Sequence, residues 1–116
     1  MNDRELLVLA AKASGFEVKE IDTGPFRGEL KRRVVPAPSG IASKWLPWRP
    51  LKDDADAFDL IVRLHLDISH NMDEPYPYVG VHTYEGLFLA REPLGENAKS
   101  TRRAITRAAA ALADKE

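Results

Sequence analysis

Cysteine is absent from this chain of 116 residues, and it also lacks long apolar runs and an excess of one charge. The absence of cysteine excludes disulfides, thiol catalysis and cysteine-ligated zinc or iron–sulfur sites. The apolar runs are much too short for a membrane span, and we expect no signal peptide. A chain of this length predicts a single domain over residues 1–116, acting in a reducing cytoplasm.

Recognisable catalytic motifs are missing as well. No serine lies in a Gly-x-Ser-x-Gly elbow, and the chain has neither a phosphate-binding glycine loop nor a dinucleotide fingerprint. The 17 basic and 18 acidic residues give a net charge of −1, which argues against a strongly basic nucleic-acid binder. We therefore expect a protein without enzymatic activity and without a cofactor.

Hydrophobic periodicity predicts three helices, at about residues 2–14, 53–65 and 98–113. Asn2 or Asp3 is expected to cap the first helix and Gly15 to end it, and Asp53 is expected to cap the second. Alternating patterns predict five strands. They lie at residues 16–21, 28–35, 66–70, 78–84 and 87–91, the last two forming a hairpin.

The resulting order is helix, two strands, helix, three strands, helix. It predicts an α+β domain, specifically an α/β/α sandwich with a mostly antiparallel sheet. Residues 36–50 interrupt the order with four prolines and both tryptophans. Because a hydrogen-bonded ladder is not expected to run through so many prolines, we predict either a long ordered loop or a partly mobile basic arm there, without strands.

The densest acidic cluster, at the start of the second helix, has two interpretations. Carboxylates this close together could bind a divalent cation, but the spacing lacks the central glycine and distal glutamate of a calcium loop. A capped helix start whose dipole favours acidic residues explains the cluster more simply, so we expect no metal site. The residues are Asp53, Asp54, Asp56 and Asp59.

A basic segment from Arg27 to Lys52 carries seven basic residues and one acidic residue, a local charge of +6. Interleaved aromatic side chains make it a candidate contact surface, because tryptophan and arginine dominate interface hot spots. The alternative is a charged edge strand that discourages aggregation, with tryptophans covering the core. The partner-binding candidates are Arg32, Arg33, Trp45, Trp48 and Arg49.

A basic stripe on the last helix comprises Lys99, Arg103 and Arg107, spaced four residues apart. Together with Lys31, Arg32 and Arg33 it could contact nucleic acid. The simpler interpretation of the stripe is a solvated helix face.

One face of the predicted hairpin carries Tyr78, His82 and Tyr84. Such a face could stack a base or a small nucleotide. The alternatives are an inner face covered by a helix or cross-strand packing, and packing is the favoured interpretation. The three histidines share no metal-ligand spacing.

Three segments together resemble a known group of small bacteriophage and prophage proteins, the phage ABA-sandwich domain family. The first of them reads RELLVLAAKASG at residues 4–15. The second and most specific is WRPLKDDADAFDL at residues 48–60, and the third is TRRAITRAAA at residues 101–110. Arg49 departs from the asparagine that the family more often has at that position.

The resemblance implies helices on both faces of a sheet and a phage-encoded accessory protein in a bacterial cytoplasm. The family carries no established activity, so no site residue follows from it. We expect a protein that binds a host or anti-phage-defence component. Nucleic-acid binding and sequestration of a small nucleotide remain open, as does a homodimer formed through an exposed hairpin edge.

Overall fold

The computed structural model describes residues 1–34, 44–72 and 75–113 of the chain. Within these residues, three helices separate two groups of three strands. The helices are α1 (Asp3–Ser14), α2 (Asp54–Leu64) and α3 (Asn97–Ala113). The strands are β1 (Phe16–Glu20), β2 (Leu30–Val34), β3 (Leu46–Trp48), β4 (Leu66–Asn71), β5 (Tyr78–Thr83) and β6 (Phe88–Pro93). The predicted α+β class with antiparallel strands is confirmed.

The ends of the first two helices follow from local sequence. The Asn2 side chain accepts a hydrogen bond from the Glu5 amide at 2.8 Å, and Gly15 ends α1 in the left-handed conformation, at φ 78°. The Asp53 carboxylate accepts one from the Ala55 amide, also at 2.8 Å. These contacts satisfy backbone donors that a helix start leaves without partners, so the predicted caps are confirmed.

The first sheet has the order β1-β2-β3 and is antiparallel throughout. Its third strand corrects the prediction that the segment 36–50 contains no ladder. Pro47 lies opposite Lys31. The register places Lys31 and Lys19 in a hydrogen-bonded pair, so the backbone N–H and C=O of Lys31 point towards β1 and away from β3. The proline nitrogen therefore faces the free edge, where no hydrogen bond is lost. Residues 36–43 of the predicted arm lie outside the described residues.

The second sheet has the order β4-β5-β6 and is also antiparallel. It contains the predicted hairpin, with a register shift between Val81 and His82. The strands therefore form two three-stranded sheets, whereas the sequence predicted one sheet. This division depends on contacts between distant parts of the chain, which periodicity does not report.

The core lies between the helices and the sheets. Helices α1 and α3 pack closely against each other and carry many buried alanines. These small side chains let the two helix backbones approach each other. Larger buried side chains from the sheets and α2 fill the remaining volume. They include Trp48, Leu60, Val79 and Val81. No helix among the described residues is long and apolar enough to cross a membrane.

Candidate partner-binding face

The first sheet has two chemically different faces because successive side chains of a strand point to opposite sides. Phe16, Leu30 and Trp48 lie on the inner face and are buried in the core. The outer face carries charged side chains instead. They are Glu17 and Lys19 on β1 and Lys31 and Arg33 on β2.

Trp45 lies next to three of these charged groups. The Lys19 ammonium is 4.4 Å from the centre of the Trp45 ring, the Arg33 guanidinium 4.7 Å and the Lys31 ammonium 5.9 Å. An aromatic ring attracts cations at these distances through its quadrupole. We call Lys19, Lys31, Arg33 and Trp45 the cationic face.

The cationic face holds more positive charge than its neighbours neutralise. Arg33 forms an ion pair with Glu17, at 3.0 Å. Lys19 and Lys31 are direct cross-strand partners, and neither forms an ion pair among the described residues. Like charges placed directly opposite each other on a sheet lower its stability. Two cations of the face are therefore left without an ion-pair partner in the described part of the chain.

Arg32, a predicted partner-binding residue, lies on the inner face of the sheet. Its guanidinium is 4.5 Å from the centre of the Phe16 ring, which the Arg63 guanidinium also contacts. The Arg32 Nε atom is buried and has no hydrogen-bond partner among the described residues. Strand alternation thus splits the basic run: Lys31 and Arg33 lie on the outer face of the sheet, and Arg32 lies on the inner face.

The two tryptophans have different environments. Trp45 is half-buried on the cationic face. Trp48 is only 1% exposed and packs edge-to-face on Phe16, with 5.8 Å between the ring centres. Its burial removes Trp48 from the surface that a partner can reach, so the structure places it with the core.

Arg49 lies away from the cationic face, in a cleft of about 290 Å³ beside the start of α1. Its Nε atom is 2.9 Å from a carboxylate oxygen of Glu29, and Lys52 pairs with the other oxygen at the same distance. The Arg49 guanidinium also stacks on Phe26, at 4.5 Å from the ring centre. Arg49 is therefore held by neighbours within the chain.

The basic stripe of α3 is largely neutralised within the fold. Arg103 forms ion pairs with Asp3, at 3.0 Å, and with Glu92, at 3.6 Å. Arg107 also pairs with Glu92 and donates to the Arg91 carbonyl oxygen. Lys99 is exposed. The two arginines thus tie α3 to β6 and α1 and contribute little free charge.

The hairpin residues Tyr78, His82 and Tyr84 do not form a single site. Val79 and Val81, on the opposite face of β5, are fully buried, so that face is the one turned to the core. The structure therefore does not support the interpretation in which a helix covers the tyrosine face. Tyr78 lies at one end of β5, with the Arg91 guanidinium 5.4 Å from its ring centre. Tyr84 follows the other end of β5, where it contacts His65.

Cross-strand packing accounts for the middle of this face. A side chain at Gly80 would meet Tyr78, Phe88 and Ser69 side-chain atoms at 3.4 Å each. The rings of Tyr78 and Phe88 therefore cover Gly80, the residue that lies between Tyr78 and His82 on this face.

Each acidic residue at the start of α2 has a structural contact. Asp53 caps the helix, Asp54 pairs with Arg102 at 2.7 Å and Asp59 pairs with Arg63 at 2.8 Å. Among residues 1–34, 44–72 and 75–113, no group of three or more histidine, aspartate or glutamate side chains could hold a metal ion.

Asp56 is partly buried in the first turn of α2. Burial raises the pKa of the Asp56 carboxyl above its ordinary value. The backbone N–H of Arg49, which donates to this carboxylate at 2.8 Å, opposes the rise, and Asp53 adds to it. The contact ties the segment after β3 to α2.

Comparison with protein-family models, curated proteins and solved structures finds no match for this chain. The resemblance to the phage ABA-sandwich family remains a prediction from the three sequence segments.

Lys19 is the component of the cationic face that the sequence reasoning missed. The available signal was alternation: in the predicted strand from Phe16, Lys19 lies on the face opposite Phe16 and Val18. The antiparallel register then brings Lys19 opposite Lys31. Neither residue is unusual by itself, so the pair becomes visible only when the register is known.

Proposed function

We propose that this chain is a non-enzymatic binding protein and that its cationic face recognises an acidic surface on another protein. The observation that carries the proposal is the direct cross-strand placement of Lys19 and Lys31 beside Trp45. This arrangement raises the free energy of the unbound sheet, and a carboxylate bound between the two ammonium groups removes the repulsion. A local departure from optimal stability of this kind is typical of a functional site.

Trp45 supports the proposal by holding the cations in place. Each cation–ring contact contributes about 0.5–1 kcal/mol at an exposed site. Long basic side chains that are already ordered lose less entropy when a partner binds. Trp45 also offers an apolar contact beside the charges, and tryptophan with arginine is a frequent combination at interface hot spots.

An acidic protein surface fits this face better than a nucleic-acid backbone does. Nucleic-acid affinity depends on the number of phosphates that a protein neutralises, so it requires a long basic track. Here Glu17 forms an ion pair with Arg33 on the face. Glu92 forms ion pairs with Arg103 and Arg107 of the basic stripe on α3. The two cations of the face that form no ion pair among the described residues, Lys19 and Lys31, make a compact patch suited to one or two carboxylates.

The family resemblance supplies the biological setting of the proposal. A phage- or prophage-encoded accessory protein would act in the bacterial cytoplasm, and its acidic partner would be a host or anti-phage-defence component.

The first experiment measures binding to defined probes at low salt by fluorescence anisotropy. The probes are a labelled oligoglutamate peptide, a single-stranded DNA and a duplex DNA. We expect the peptide to bind and the double variant Lys19→Ala/Lys31→Ala to lose most of that binding. The matched control, Lys12→Ala/Lys99→Ala, removes the same charge from exposed helix positions and should bind as the unmodified protein does.

Two results would contradict the proposal. One is equal loss of peptide binding in the two double variants, which would indicate a general charge effect. The other is tighter binding to either DNA than to the peptide, with an affinity that falls steeply with salt, which would favour the nucleic-acid alternative.

A further inference from the structure

We propose that β4 is the dimerisation edge of this protein. In the dimer, the β4 strands of two copies align antiparallel about a two-fold axis at Ile68. Their two second sheets then join into one six-stranded sheet. Among the described residues, β4 pairs on one side with β5 and has no strand on its other side.

The hydrogen-bond pattern of β4 shows which backbone groups are available. The Tyr84 amide donates to the His65 carbonyl oxygen at 3.2 Å, and these residues continue the register in which Leu66 pairs with Thr83. In an antiparallel ladder, the residues that bond to a given neighbour alternate. Leu66, Ile68 and His70 therefore direct their N–H and C=O groups to the free edge.

These three residues are spaced correctly for pairing with a second copy. A two-fold axis perpendicular to a sheet passes through the centre of a residue pair, so one residue of the strand must face itself. With Ile68 in that position, Leu66 of each copy pairs with His70 of the other copy, which gives two equivalent pairs on either side of the central Ile68 pair. All three pairs are of the hydrogen-bonded type, which gives roughly six main-chain hydrogen bonds.

The other edges of the two sheets are protected against strand addition. Pro47 lies in β3 and Pro93 in β6, and each occupies a pair in which its nitrogen faces outward. Strand β1 carries the charged side chains of Glu17, Lys19 and Glu20. Prolines and charges, lysine above all, are the usual means of preventing edge pairing. Strand β4 has no proline and no lysine in its six residues, and its one acidic residue, Asp67, directs its backbone groups to β5.

Exposed apolar side chains lie beside the β4 edge. Phe58 and Val62 of α2 are 63% and 56% exposed. Phe58 lines a cleft of about 390 Å³ together with Ile61 and Ile68, so this part of α2 borders the inner face of β4. A two-fold axis at Ile68 brings the α2 helices of both copies to the same side of the joined sheet. Pairing of the strands would thus bury apolar surface that is exposed in the single chain.

The oligomeric state tests this proposal with a matched pair of variants. His70→Pro removes one outward N–H and reproduces at β4 the protection that Pro47 and Pro93 provide. His70→Ala removes the same side chain and keeps the N–H. In sedimentation experiments over a range of concentrations, we expect the unmodified protein and His70→Ala to reach twice the mass of the single chain. We expect His70→Pro to stay at the single-chain mass, with a circular dichroism spectrum like that of the unmodified protein.

Amide hydrogen exchange gives an independent readout that needs no variant. We expect the amides of Leu66, Ile68 and His70 to become protected as the protein concentration rises, because each faces the second copy. The Asp67 and Ser69 amides bond to β5 and should be protected at every concentration. A single-chain mass at all concentrations, or a dimer in which these three amides stay unprotected, would overturn the proposal.

Discussion

Lys19 of β1 and Lys31 of β2 are direct cross-strand partners, and both ammonium groups lie within 6 Å of the centre of the Trp45 ring, at 4.4 and 5.9 Å. Two like charges in this position do not stabilise the sheet. The ring attracts both, and no carboxylate of the described residues forms an ion pair with either ammonium group. This relationship connects the stability of the free protein to its proposed binding.

Charge reversal at Lys31 should therefore stabilise the protein and weaken its binding. Lys31→Glu replaces the repulsion with an attraction to Lys19 and loses only the more distant of the two ammonium–ring contacts. We expect the free energy of unfolding to rise by about 0.5 kcal/mol, as cross-strand charge pairs suggest, and oligoglutamate binding to be lost. Urea unfolding monitored by circular dichroism measures the first effect. A variant that is less stable than the unmodified protein would show that Lys31 stabilises the sheet.

The two tryptophans should respond differently to the same substitution. Trp48→Ala opens a cavity in the core and should lower the free energy of unfolding by about 3–5 kcal/mol. Trp45→Ala removes surface cation–ring contacts and should lower it by only about 1–2 kcal/mol, while oligoglutamate binding is lost. Denaturant unfolding of both variants tests the assignment of Trp48 to the core and Trp45 to the surface. Equal destabilisation would contradict it.

Asp56 should make stability depend on pH. Because burial raises the pKa of Asp56 in the folded protein, the folded state binds more protons than the unfolded state between the ordinary and the raised pKa. The contribution of this carboxyl to stability therefore falls as the pH rises through that interval. The free energy of unfolding of the unmodified protein, minus that of Asp56→Asn, should decrease across the interval and then level off. Urea unfolding over a pH series measures it, and an increasing difference would show that the Arg49 amide and Arg32 outweigh burial.

Residue 65 should tolerate glycine better than histidine. His65 ends α2 in the left-handed conformation, at φ 53°, which costs a residue with a side chain about 1–2 kcal/mol. We expect His65→Gly to raise the free energy of unfolding by about 1 kcal/mol. Loss of the contact between the His65 and Tyr84 rings offsets part of this gain. The matched control is Gly15→Ala at the end of α1, which should lower it because Gly15 has the same conformation. Thermal unfolding of both variants measures these changes. Destabilisation by His65→Gly would show that the contact with Tyr84 contributes more to stability than the left-handed conformation of His65 costs.

The sequence predicted the elements that depend on local signals. The caps at Asn2 and Asp53 and the stop at Gly15 involve groups within a few residues of one another, so each motif carries its own information. The hairpin was predicted for the same reason. The sequence does not predict strand β3, because a proline ordinarily interrupts a ladder; the position of Pro47 at a free edge makes a proline acceptable there.

The candidate site was only partly predictable. Arg33 and Trp45 were identified from composition and local charge, but Arg32 and Trp48 have the same residue types and lie on the inner face. What separates them is the alternation of β2 and β3, and the position of β3 depends on its pairing with β2. The partners of Arg103 and Arg107 are equally distant in sequence, since Asp3 comes from α1 and Glu92 from β6.

The most direct test of the proposed function is a nuclear magnetic resonance titration of the isotope-labelled protein with unlabelled oligoglutamate peptide. The account predicts chemical-shift changes concentrated at Lys19, Lys31 and Arg33 and at the indole N–H of Trp45, while the indole N–H of Trp48 stays unchanged. Changes concentrated on α3 around Lys99, or in the cleft around Arg49, would contradict the claim that the cationic face is the binding surface.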